Sequence, residues 1–230
     1  MTMCAVTGET IGQVWLGSMA RVMAEGREAW DEDVRLRELL GLTVCVMHPA
    51  LEDPIVNRFG DAQVLEHTLR KFEKGTVMAN RPFTYGDCIY NKNGVDQFEW
   101  MVERLTKKRE SKSATISLLT EGSQSANLPC LSMLDAKIRN DRLHVQFFFR
   151  SQNIVGRQYA NLMAIATLQH RLAARLGVAP GMMAGYVASA HIYQYDLEYA
   201  EAIGLNKRVV IEDHFYDYGP RSIRLNPSFK

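Results

Sequence analysis

Apolar residues at Ile11, Val14, Trp15, Met19 and Val22 recur at helical spacing and Gly26 follows them, so the chain opens on an amphipathic helix whose apolar face belongs to the core. The acidic triplet Asp31-Glu32-Asp33 reads as a helix cap or an exposed turn. Residues 42–47 form a short apolar, β-branched run closed by His48-Pro49, a strand signal. An irregular stretch is expected next, until Ala62, Leu65, Leu69 and Phe72 mark a second helix. Phe98, Met101, Val102 and Leu105 mark a third, ending in Lys107-Lys108-Arg109, a basic last turn that suits the negative end of a helix dipole.

The second half is patterned more sharply. Residues 114–119 read as a strand, and 121–127 as a polar loop. The runs 131–138 and 143–150 flank Asn140-Asp141, residue types that tolerate the left-handed backbone of a tight hairpin turn. Phe147, Phe148 and Phe149 are consecutive, so that strand presents aromatic rings to both faces and is expected at a subunit interface. Leu162, Ile165, Ala166, Gln169, Leu172, Ala173 and Leu176 repeat at helical spacing, with Gly177 where a left-handed cap belongs and Pro180 beyond it. A buried strand over 186–192, a short helix over 194–203 and a last strand over 208–211 complete the order, before a polar, aromatic tail.

At 230 residues and 47% hydrophobic content, with no repeat or linker, the chain is expected to fold as a single domain spanning 1–230. A formal charge of +1 provides no field that would draw the whole molecule to nucleic acid or to an anionic membrane, so neither partner is expected and any phosphate site must be local. Cys4, Cys45, Cys88 and Cys130 are spaced about forty residues apart, which fits neither zinc ligation nor a disulfide framework. His48, His67, His144, His170 and His214 show no ligand spacing either, so no metal is expected. The first nine residues lack a basic-then-apolar leader and no stretch is long enough to span a membrane, which points to a cytoplasmic location.

Candidate chemistry begins at Leu128-Pro129-Cys130, placed across the hairpin from Arg150-Ser151. A cysteine beside an arginine and a hydroxyl suits a thiolate nucleophile next to an anion-binding site. Taken singly, each residue has a blander reading: Cys130 as a small core hydrophobe, Arg150 as a strand-end charge, Ser151 as a turn residue, Asn161 as a cap, His191 as a hydrogen-bonded core histidine and Tyr193 as packing.

Jointly, Leu128-Pro129-Cys130, Arg150-Ser151, Gly156, Asn161 and Ala190-His191-Ile192-Tyr193 resemble the catalytic half of thymidylate synthase, a likeness that covers residues 85–213. The resemblance implies an α+β fold with a large, mostly antiparallel or mixed sheet, flanking helices and a sheet-to-sheet homodimer. It implies one-carbon transfer from 5,10-methylenetetrahydrofolate to C5 of a pyrimidine nucleoside monophosphate, with Cys130 adding to C6. Arg150 and Ser151 would hold the phosphate, Asn161 the uracil edge, and His191 and Tyr193 the sugar hydroxyl. Tyr85-Gly86 resembles the family's tyrosine-glycine beside the base, and Glu66 would order water and protons around it.

The sequence also departs from that pattern. Where the family carries a pair of arginines that reach a partner's phosphate, this chain has Ser111-Lys112-Ser113, leaving Lys112. Phe149 replaces a glutamine, Leu131 a histidine, and Asn153 the aspartate that reads the folate. Exchanging that carboxylate for an amide removes a charge-assisted hydrogen bond of about 1.5–3 kcal/mol. If water instead of hydride meets the methylene at C5, the product is a 5-hydroxymethyl nucleotide, of uracil or of cytosine. A third reading is a non-catalytic nucleotide- or RNA-binding protein on the same scaffold.

Overall fold

A computed structural model describes residues 4–78, 83–119 and 128–204, together with the backbone of 209–211 and 223–225. In chain order the elements are β1 (Cys4–Gly8), α1 (Ile11–Glu25), β2 (Arg27–Asp31), β3 (Val34–Val46), α2 (Pro54–Phe59), α3 (Ala62–Lys71), α4 (Tyr85–Tyr90), α5 (Gln97–Lys107), β4 (Thr115–Ser117), β5 (Leu131–Arg139) and β6 (Arg142–Phe149). There follow β7 (Gln152–Asn153), a π-helical turn (Ile154–Gln158), α6 (Tyr159–Leu176), β8 (Ala179–Tyr193), a 3-10 turn (Gln194–Asp196), α7 (Leu197–Gly204), β9 (Val209–Ile211) and β10 (Ile223–Leu225). The helices read from periodicity are present as α1, α3, α5 and α6. The stretch expected to be irregular contains α2, and β1, β2, α4 and β10 carry no pattern long enough to show in the sequence. The loop read over 121–127 lies outside the described residues.

Eight strands make one mixed sheet in the order β1-β3-β8-β6-β5-β4, with β2 continuing on β3 and β7 on β8. The hairpins pair antiparallel, whereas β6 and β8, joined through α6, run parallel. One cross-sheet row, Ile116, Leu134, Phe147, Gly185, Val44 and Val6, faces the helices. Gly185 is required there: a Cβ would stand 2.1 Å from the buried ring of Phe147. The adjacent row, Ser117, Met133, Phe148, Tyr186, Thr43 and Ala5, lies on the opposite face, where Phe148 stacks on Tyr186 at 5.7 Å. Of the three consecutive phenylalanines, Phe147 and Phe149 are therefore core, and Phe148 alone belongs to the open face.

The hairpin predicted at Asn140-Asp141 is present, with φ of 49° and 56° at those residues. Gly177 ends α6 at φ 64°, as its position after Leu176 predicts. The acidic triplet forms the turn between β2 and β3, with Glu32 at φ 51°.

Two polar anchors lock the helical layer. The indole of Trp15 donates to the Ile154 carbonyl at 2.8 Å and packs 4.5 Å from the Tyr159 ring, tying α1 to the π-turn. The carboxylate of Asp53, 2% exposed, caps α2 by accepting from the backbone of Ile55 and Val56, and accepts from Gly12 N at 2.7 Å. Asp53→Ala removes the cap and strands the Gly12 amide, so urea unfolding is expected to show a loss of about 3 kcal/mol.

Candidate functional site

The sheet changes hands at Gly41. Toward one end Leu42 and Val44 of β3 and Met183 and Val187 of β8 face the core; beyond Gly41 the core residues are Leu39, Ala190 and Ile192. Gly41 sits between the pairs Leu40–Ser189 and Leu42–Val187 with φ 79°, a conformation that favours glycine. The parity switch turns His191 and Tyr193 away from the main core. They point the same way, as alternation predicts, with rings 5.0 Å apart edge to face.

Cys130 lies at the head of β5. The Arg150 amide donates to its carbonyl at 2.9 Å, so the hairpin brings residues 130 and 150 side by side. The Ser151 hydroxyl donates to Cys130 Sγ at 3.5 Å, and an Arg150 guanidinium nitrogen donates to the same hydroxyl at 3.4 Å. The remaining arms of Arg150 donate to the carbonyls of Leu128 (2.6 Å) and Pro129 (3.2 Å), pinning the segment that carries the thiol. Cys130 is half-buried. All four cysteines are free thiols, and burial pushes Cys4, Cys45 and Cys88 upward, which keeps those three protonated.

Tyr85 opens α4 and its phenol oxygen accepts from Leu131 N at 3.3 Å, which sets it one residue from Cys130. Asn161 is half-buried near the start of α6, and among the described residues no side chain bonds its carboxamide. Asn153 is already engaged: its Oδ1 accepts from Gly156 N at 2.8 Å, capping the π-turn, and its Nδ2 donates to the fully buried Asp196 carboxylate at 3.5 Å. Asn153 is also the cross-strand neighbour of His191.

Glu66 and Lys112 stand apart. Glu66 is exposed on α3 and pairs with Arg70 at 2.6 Å. Lys112 is exposed in the connection from α5 to β4, between Ser111 and Ser113, whose hydroxyls accept from Arg104. Neither makes a described contact with Cys130.

His191 is 8% exposed, and burial holds its imidazole below the ordinary histidine range, with a smaller push from the Arg150 charge. Opposing burial, each more weakly than it but more strongly than the Arg150 push, are a hydrogen bond with the Ser189 backbone and the Asp31 and Glu38 carboxylates. A histidine depressed in the folded state favours the folded protein above the unfolded value of about 6.5 and loses that contribution as pH falls further. Unfolding free energies at pH 7.5 and 5.5 are expected to differ less in His191→Gln than in the wild type.

Three acids beside the site carry no local sequence signal. Tyr193 donates to Asp31 at 2.5 Å, Ser189 donates to Glu38 at 2.5 Å, and Asp196 backs Asn153. Each meets its partner only through strand pairing or the turn after β8. Among the described residues, no cluster of three or more His, Cys, Asp or Glu side chains is placed to hold a metal ion, and no helix is long and apolar enough to cross a membrane.

The family model for thymidylate synthase matches residues 18–209 of this chain. A Methanococcoides burtonii protein named "Putative thymidylate synthase" is 30% identical over 207 residues, covering 86% of this chain and 93% of its own length. Proteins of the same name from Methanosarcina mazei and Methanothermobacter marburgensis are 28% and 27% identical, covering 87% and 86% of this chain and 95% and 96% of their own. With most of its length matched, the chain belongs to the thymidylate synthase family.

Proposed function

We propose that this protein transfers a one-carbon unit to C5 of a uracil nucleoside monophosphate through a covalent adduct at Cys130. The observation that carries the reading is the hydrogen-bonded series Arg150, Ser151, Cys130, which sets a cation and a hydroxyl donor against the thiol. The thiolate is the form that attacks. The sulfur adds to C6, the C5–C6 π pair moves toward C5 and O4, and Asn161 donates to the developing charge at O4 while accepting from N3–H. To the Tyr85 phenol, which accepts from Leu131 N, we assign movement of the C5 proton, and to Glu66 the ordering of water. Once C5 is bonded to the incoming carbon, loss of the C5 proton supplies the electron pair that frees that carbon from its donor nitrogen; addition of hydride (methyl product) or hydroxide (hydroxymethyl product) to it then lets the C6–S bond break and returns the thiolate.

When bound, 5,10-methylenetetrahydrofolate supplies the electrophilic carbon. We assign its amino-oxo ring to the neighbourhood of Asn153, whose amide is held by the buried Asp196 carboxylate. The absence of an ionised acceptor at 153 itself favours, as a second reading, a looser cofactor fit that admits water and gives a 5-hydroxymethyl product. Incubation with UMP, dUMP, CMP and dCMP plus the folate, read by product mass, separates the readings; no product from any of the four would refute both.

The open sheet face supports a homodimer, with Lys112 contributed across the interface toward the phosphate. Leu40 (54% exposed), Tyr186 (41%) and Met133 (37%) lie on it around Phe148, an apolar surface of the kind that marks an interface. Tyr186→Glu is expected to convert a dimer to a monomer in sedimentation at micromolar concentration; a wild type that sediments as a monomer counts against the arrangement.

A further inference from the structure

Asp31 sits at the end of β2, where the turn to β3 brings it to the last residue of β8. Its Oδ2 accepts a hydrogen bond from the Tyr193 hydroxyl at 2.5 Å, and its charge is felt at His191, as are those of Glu38 and Arg150. Arg150 and Ser151 are thus bonded about the thiol, and the His191–Tyr193 pair ends at Asp31. With the Tyr193 proton committed to Asp31, any further partner of the phenol oxygen must be a hydrogen-bond donor. Asp31 is exposed, and a carboxylate is an acceptor only. Two acceptor oxygens side by side match two adjacent hydroxyl donors, as when an acidic residue takes a ribose hydroxyl in dinucleotide sites. An anion there repels a phosphate, which leaves the phosphate to Arg150.

We propose that Asp31 is a specificity-determining residue: together with Tyr193 it reads the vicinal hydroxyls of a ribose, so that this site prefers a ribonucleoside over a 2′-deoxyribonucleoside monophosphate. The proposal rests on the assignment of Arg150 to phosphate and of His191 and Tyr193 to sugar. A deoxyribose offers one hydroxyl and leaves the Asp31 carboxylate without a donor from the ligand, whereas a ribose satisfies both oxygens.

The test compares UMP with dUMP, and CMP with dCMP, by calorimetric binding and by kcat/KM in the wild type, Asp31→Ala and Asp31→Asn. The wild type is expected to favour the ribonucleotide by about tenfold or more, carried by KM. In Asp31→Ala that ratio falls toward one, and Asp31→Asn, which keeps one acceptor, lies between. A parallel loss on both sugars, assigning Asp31 a purely structural hold on Tyr193, overturns the proposal. So does a wild type that binds nucleotides without sugar preference, which leaves the phosphate and sugar assignments standing. If the wild type binds none of the four, those assignments fail and the proposal fails with them.

Discussion

Cys130→Ala is expected to abolish product formation, by at least about 10⁴-fold in kcat, while nucleotide binding stays within a few-fold of the wild type. The asymmetry follows from position. The thiol stands at the head of β5 and accepts one long hydrogen bond from Ser151, whereas the arms of Arg150 reach the Leu128 and Pro129 carbonyls, which do not depend on the sulfur. Removing the sulfur therefore deletes the attacking atom and leaves the anion site built. Calorimetric titration with UMP and a mass-based turnover assay measure the two halves separately. Turnover retained in the alanine variant would end the covalent mechanism; binding lost together with turnover would mean that the residue shapes the site instead of reacting in it.

Arg150→Lys is expected to lower kcat/KM for a nucleotide by about 100-fold despite the retained charge. The guanidinium fork makes three internal contacts, to Leu128, Pro129 and Ser151, and in the proposed complex it also meets the phosphate. An ammonium is a single point on a flexible stem and cannot hold carbonyls on one side while meeting a phosphate on the other. Losing the phosphate contact raises KM, and releasing the 128–129 segment lowers kcat by loosening the thiol. Steady-state kinetics on UMP and on uridine divide the effect. If the preference for nucleotide over nucleoside is the same in variant and wild type, Arg150 does not bind the phosphate.

The Arg150 result bears on the rest of the site because the same guanidinium is felt at His191. Carboxylates at Asp31, Glu38 and Asp196 lie beside Tyr193, Ser189 and Asn153, so charge is positive at Arg150 and negative there. In the proposed complex, that polarity orients the phosphorylated ligand in one direction.

The site residues differ in how they can be found. Cys130, Arg150 and Ser151 were legible because the hairpin that joins them is local: Asn140-Asp141 demands a tight turn, and once the turn is set, antiparallel pairing brings residue 130 to residue 150. His191 and Tyr193 were legible as a same-face pair for the same reason, period-two alternation along one strand. Asp31 reads as a helix-cap or turn acid, and it closes the β2–β3 turn; its bond to Tyr193, 162 residues along the chain, depends on β3 pairing with β8, which no local pattern encodes. Asp196 is hidden likewise, since a lone acid after a strand has no signature until burial gives it a partner.

By itself, then, the sequence determined the elements whose apolar spacing repeats often enough to signal a face, namely α1, α3, α5, α6 and the β5–β6 hairpin, and with them the thiol-and-guanidinium centre. Short elements such as β1, β2 and α2 have too few residues for a period to emerge, and their existence is decided by the neighbours that supply hydrogen bonds and cover. Only the tertiary structure decided that the sheet reverses its core face at Gly41, that the acids at 31, 38 and 196 meet Tyr193, Ser189 and Asn153, and that Phe148, but not its neighbours, belongs to the open face. The physical reason is common to all three. Which side of a strand is buried is settled by what packs on it, and the partners here come from segments that meet only when the whole sheet has formed.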